Sequence, residues 1–78
     1  MNLADSNRAK AMVAKDTPKI MIELLASQIG IADEARARII EEGIVVRDMK
    51  GSVIKHPAIE VELKAMRAIQ DIINSNRY

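Results

Sequence analysis

Two close-set carboxylate pairs, Glu41–Glu42 and Glu60/Glu62, and a single histidine, His56, are the residues whose types suit acid–base chemistry. Paired carboxylates hydrolyse glycosidic bonds when they face each other across a cleft. On a helix neither pair has that geometry, because adjacent residues do not share a face and residues two apart point to different sides. An imidazole titrates near neutrality and suits a general base. His56, however, stands directly before Pro57 at a helix start, where a capping or simple surface role is expected. The absence of cysteine removes disulfides, thiolate metal sites and thiol nucleophiles. A lone histidine offers no imidazole cluster to a transition metal, so neither metal nor cofactor is expected. Gly30, Gly43 and Gly51 stand too far apart to cradle a phosphate. The chain reads as one that binds rather than one that catalyses.

The cations point to a ligand class only when their placement is considered. Arg8, Lys10, Lys15 and Lys19 give residues 1–19 a local charge of +2, and residues 20–43 carry −3. Arg47, Lys50 and Lys55 then return residues 44–57 to +2, within a net charge of +1. These seven side chains are the candidates for phosphate contacts on double-stranded DNA, made by charge and not by base reading. Weak contacts of this kind add when an oligomer repeats them. Stacking on single-stranded bases is not expected, since Phe and Trp are absent and the one tyrosine is Tyr78.

The elements that must position these residues follow from periodicity. Thr17-Pro18 reads as a helix start, with the threonine oxygen as cap and proline in the first turn. From Ile20 to Glu42, Ile22, Leu25, Ile29, Ala32, Ala35 and Ile39 recur at spacings of three and four, which predicts a helix of roughly 25 residues. Gly30 costs ~1 kcal/mol there relative to alanine. Either the helix runs through it or Asp33 starts a second one, and the unbroken phase favours one helix. Gly43 falls where a left-handed terminating residue belongs. Ile44-Val45-Val46 and Ser52-Val53-Ile54-Lys55, separated by a turn with Asp48 early and Gly51 late, read as a short β-hairpin. His56-Pro57 opens a last helix with two apolar stripes. One holds Ile59, Leu63, Met66, Ile69 and Ile73, and the other Ala58, Val61, Ala65, Ala68 and Ile72. Residues 1–16 form a basic segment, either a docked short helix or a mobile arm, with partial order expected, and residues 17–78 form the helix–hairpin–helix domain.

The fold class is therefore mainly α, with two long helices joined by a hairpin. In 78 residues with no internal aromatic side chain, aliphatic residues carry the whole core. A chain this short hides only ~60% of its unfolded surface. Both long helices carry more apolar surface than one antiparallel partner covers, so an oligomeric helical assembly is expected. Ile22, Leu25, Ile29, Ile39, Leu63, Met66 and Ile73 are the candidates for core and chain–chain contacts. A monomeric three-helix domain, with the first segment as third helix, is the competing arrangement. The longest uncharged run, Leu24 to Ala32, is far short of the ~20 residues that span a bilayer. The Met1 end lacks the layout of a signal peptide, so no membrane association and a cytoplasmic location are expected.

The run Glu42-Gly43-Ile44-Val45-Val46, Lys50-Gly51 and His56-Pro57-Ala58-Ile59, followed by Ala65-Met66 on an amphipathic helix, resembles the small subunit of tailed-phage terminases. The likeness is to the group in which a helix ends at glycine, a hairpin follows and a polar-Pro-Ala motif opens the next helix. It covers roughly residues 17–73. The resemblance implies a non-catalytic component of viral genome packaging, acting in the host cytoplasm. Such subunits assemble into rings or similar homo-oligomers, bind viral DNA, and pass it to a large terminase subunit whose ATPase and nuclease they modulate. A small helical protein–protein interaction or regulatory module with no nucleic-acid binding is the alternative.

Overall fold

The chain forms α1 (Leu3–Ala11), α2 (Lys19–Glu42), β1 (Val45–Arg47), β2 (Val53–Lys55) and α3 (Ala58–Asn76). The computed structural model describes residues 3–76. Helix α2 runs unbroken through Gly30. A Cβ at that position would lie 3.2 Å from a carboxylate oxygen of Asp5, so the glycine leaves room for that side chain of α1. The cap at the start of α2 differs from the expected one. Pro18 takes the cap position with φ −56° and ψ 141°, and its carbonyl accepts the Met21 and Ile22 amides. The Thr17 hydroxyl does not cap; it turns inward and donates to the Asn76 carbonyl at 3.4 Å. Thr17 thus ties the α1–α2 connection to the end of α3.

Gly43 ends α2 with φ 91° and ψ 168°, and its amide donates to the Ile39 carbonyl at 2.8 Å. That backbone region is essentially closed to residues with a Cβ. The hairpin pairs Val45 with Lys55, Val46 with Ile54 and Arg47 with Val53, antiparallel. Its turn is held by Asp48, whose carboxylate accepts the Lys50 and Ser52 amides, both at 2.9 Å. Gly51 supplies the positive φ, 83°, that the turn needs. Of the six strand residues only Val46 is half-buried, so the hairpin lies lightly on the helices.

Residues 3–16 are neither an arm nor a separate body: α1 is docked, as the third helix of one core. Ala9 and Val13 join Leu25, Ala26 and Ile29 in the buried cluster, with Ile22, Ile69, Ile72 and Ile73 packed against it. The Ala14 amide donates to the Asn76 carbonyl at 2.8 Å, and Arg8 reaches Asp33 at 2.6 Å. Of the residues expected in the core, Leu25 and Ile29 are buried, and Ile22, Ile39 and Ile73 are half-buried. Leu63 and Met66 are not core residues, being 51% and 47% exposed. The reason is that the inner face of α3 lies between its two stripes. In its first half Ala58 and Ala65 are buried, as is Ala35 on α2, and the larger side chains fall on the flanks, while in its second half Ile69, Ile72 and Ile73 pack on the core.

The result is a thin rod, 50 × 22 × 16 Å, with a radius of gyration of 15.0 Å. A compact chain of this length would have a radius of about 11.5 Å. Replacing Gly43 with alanine is expected to cost about 1–3 kcal/mol, the strain of that φ/ψ region on a residue with a Cβ. Urea unfolding of Gly43→Ala against the parent measures it, and an unchanged midpoint contradicts the assigned backbone.

Candidate functional site

The best-connected side chain is His56, which is 6% exposed. Its amide donates to the Ile44 carbonyl at 2.7 Å and closes the base of the hairpin. Its Nδ1 accepts the Ala58 amide at 3.0 Å, satisfying a free donor in the first turn of α3. In the neutral ring the proton is then on Nε2, which faces both carboxylate oxygens of Glu42 at 3.4 Å. His56 therefore fastens the end of α2, the hairpin and the start of α3 together. Both ring nitrogens are engaged, which is the chemistry of a cap and not of a general base.

The carboxylates are likewise taken up one by one. Glu62 crosses to α2 and accepts from Arg36 at 2.7 Å, and that bond raises the guanidinium pKa above its ordinary value. Glu60 pairs with Lys55 at 2.9 Å. The hydrogen bond from Lys55, and then its charge, hold the Glu60 carboxyl below the usual carboxylate range. With Glu42 given to His56, the members of neither candidate pair share a partner or a bond with each other among the described residues.

The seven candidate cations fall into two groups that the fold keeps apart. Lys10 is in the last turn of α1, Lys15 in the connection and Lys19 at the start of α2, so they share one end of the rod. Arg47, Lys50 and Lys55 lie on the hairpin, at the far end of α2, whose 24 residues extend about 36 Å. One chain cannot merge both groups into a single patch. Several are also partly spent on internal contacts. Arg8 pairs with Asp33 and, at 3.4 Å, with Asp5, and the Asp33 bond raises its pKa. Arg47 donates to the Gly51 carbonyl at 2.9 Å, and Lys55 holds Glu60. Lys10, Lys15, Lys19 and Lys50 are exposed and form no ion pair with the described residues.

The flanks of the rod carry the remaining feature. An open groove of about 620 Å³ runs between the second half of α2, the hairpin and the start of α3, lined by Ile31, Ala35, Val46 and Val61 with Arg38, Arg47 and His56. Ile20, Leu24 and Ile31 on α2 and Val61 on α3 stay exposed, as do Ile40, Leu63 and Met66. Sequence reasoning missed the groove and the pairs Arg8–Asp33, Arg36–Glu62 and His56–Glu42, since each joins residues at least fourteen positions apart. The one signal available was that His56 and Glu42 flank the hairpin and its turn brings them together. Among the described residues no helix is long and apolar enough to cross a membrane. Comparison with protein-family models, curated proteins and solved structures finds no match to this chain.

His56→Ala is expected to lose about 1–2 kcal/mol of stability, as an N-cap deletion does, and His56→Asn to recover most of it, measured by urea unfolding. Equal losses for both variants would remove the capping role. A second expectation concerns acid. Because the folded state depresses the Glu60 pKa, the Lys55 pair adds stability that is full above the ordinary value of 4.5 and fades as pH falls through the folded value. The stability difference between the parent and Glu60→Gln should therefore narrow below pH 4.5, and added salt should shrink it at neutral pH. A difference that stays constant into acid contradicts the pairing.

Proposed function

We propose that this chain is a non-catalytic viral DNA-packaging component, similar to the small subunit of a tailed-phage terminase. It works as a homo-oligomer in the host cytoplasm, holds double-stranded DNA by its phosphates, and recruits and regulates a large terminase subunit. One observation carries the reading: large aliphatic side chains stay exposed along both flanks of a rod too thin to cover them. Self-association gives those flanks cover. It also multiplies a small cationic group, Lys10, Lys15 and Lys19, into a repeated array suited to successive phosphates. The unshared ion pairs of the carboxylates and the doubly engaged His56 support a binding role over a catalytic one.

A second reading has its own support. Arg8, Arg47 and Lys55 are committed to internal partners, which leaves less free charge for DNA than the sequence suggested. On that reading the chain is a helical interaction or regulatory module for a protein partner, without nucleic acid.

Light scattering after size exclusion, at two chain concentrations, tests the assembly. Many copies favour the packaging role, whereas a monomer or dimer favours the interaction module. A gel-shift series on short duplexes of unrelated sequence tests the DNA part. Binding should be insensitive to sequence and fall steeply with salt, and changing Lys10, Lys15 and Lys19 to Gln should flatten the salt dependence by about one unit of slope per lysine lost. No shift at low salt would remove DNA from the account.

A further inference from the structure

Apart from those on the hairpin and at Met12, the exposed large apolar residues lie on α2 and α3, and helical periodicity sorts them onto two opposite faces of that layer. On α2, Ile20, Leu24 and Ile31 fall within about 40° of one another at 100° per residue. They point to the side where Ile31 and Val61 line the open groove. Arg36 and Glu62, bonded across the two helices, mark the other side. The same periodicity puts Ile40 on α2 and Met66 on α3 about 40° from Arg36 and Glu62, with Leu63 about 100° from Glu62 and beyond Met66. Asp33, which receives Arg8 from α1, points the same way, so α1 occupies the rest of this second face.

We infer that these two faces, Ile20–Leu24–Ile31–Val61 and Ile40–Leu63–Met66, are the two halves of one head-to-tail contact between copies of this chain. The inference rests on the self-association proposed above and says which surfaces meet. Three considerations choose a second copy as the occupant. The chain exposes 5743 Å², whereas a folded monomer of its mass exposes about 4,700 Å². The surplus is of the order that one partner contributes to a standard interface, about 800 Å². Next, the whole chain is 16 Å across its shortest dimension and α1 covers only part of the second face, so a foreign partner on one face leaves the other wet. Copies stacked face to opposite face cover both at once. Finally, large aliphatic and thioether side chains stand on both faces, and charged neighbours on each are paired within the chain, Arg38 with Glu34 on one and Arg36 with Glu62 on the other. Contact between unlike faces is heterologous, and such contacts repeat until they close a ring or run on as a filament. An isologous pair would stop at two.

Complementary variants test this directly. One chain carries Leu24→Glu with Ile31→Glu, and another carries Ile40→Glu with Leu63→Glu; all four positions are exposed helix sites where glutamate suits the backbone. Circular dichroism confirms that each is folded, and the single changes Ile20→Glu and Ile40→Glu stand in for a pair that is not. The parent should elute as a multimer, each variant alone as a single chain, and an equimolar mixture as a one-to-one dimer through its two intact faces. A variant that still forms the parental multimer eliminates the altered face, and a mixture that stays monomeric eliminates the unlike pairing. In both cases the parent still associates, so the proposed function stands while this inference falls. A monomeric parent removes the association on which both depend.

Discussion

Toward the hairpin the buried residues of helices α2 and α3 are alanines, Ala35, Ala58 and Ala65, and most of the molecule's behaviour follows from that. Of the eight buried hydrophobic residues among those described, five are alanines, and Val13, Leu25 and Ile29 are the three larger side chains fully inside. Alanine lets helix backbones come near but removes little apolar area from water, and burial stabilises in proportion to area. With no aromatic residue to fill a wider space, the helices settle close and the larger aliphatic residues are displaced to the flanks. A single copy thus has an inner seam that is dry but small, and two outer faces that are apolar and wet.

The local chemistry around this seam fixes geometry more than it adds energy. Arg36–Glu62 ties the helices across one face, His56 binds the hairpin to both long helices, and Asn76 receives the Ala14 amide and the Thr17 hydroxyl at the other end. Exposed ion pairs contribute little to stability, so their part is to hold register along a rod that hydrophobic burial alone would leave free to slide. That rigidity is what would allow a repeated contact to close.

Much of the fold was legible in the sequence, because its signals are local. The phase of Ile22, Leu25 and Ile29 carried the helix through Gly30, and Asp48 with Gly51 specified the turn. Where the reading failed, two non-local facts decided the outcome. Thr17 was drawn away from its cap by the carbonyl of Asn76, fifty-nine positions away. Leu63 and Met66 sit on a regular stripe whose Ile69 and Ile73 do pack on the core, yet in the first half of α3 Ala58 and Ala65 of the neighbouring stripe are buried instead, and periodicity cannot say where the inner face passes from one stripe to the other. The candidate cations were legible as residues but not as a site: their division between two ends, and the internal partners of Arg8 and Lys55, exist only in three dimensions.

Cover of those flanks by sister chains is the central proposal, and thermal unfolding followed over a wide range of chain concentration tests it most directly. If folding and assembly are linked, mass action raises the melting midpoint as the chain is concentrated from micromolar towards millimolar. A cooperative transition whose midpoint does not move over that range belongs to a self-sufficient monomer, and it would contradict the account at its base.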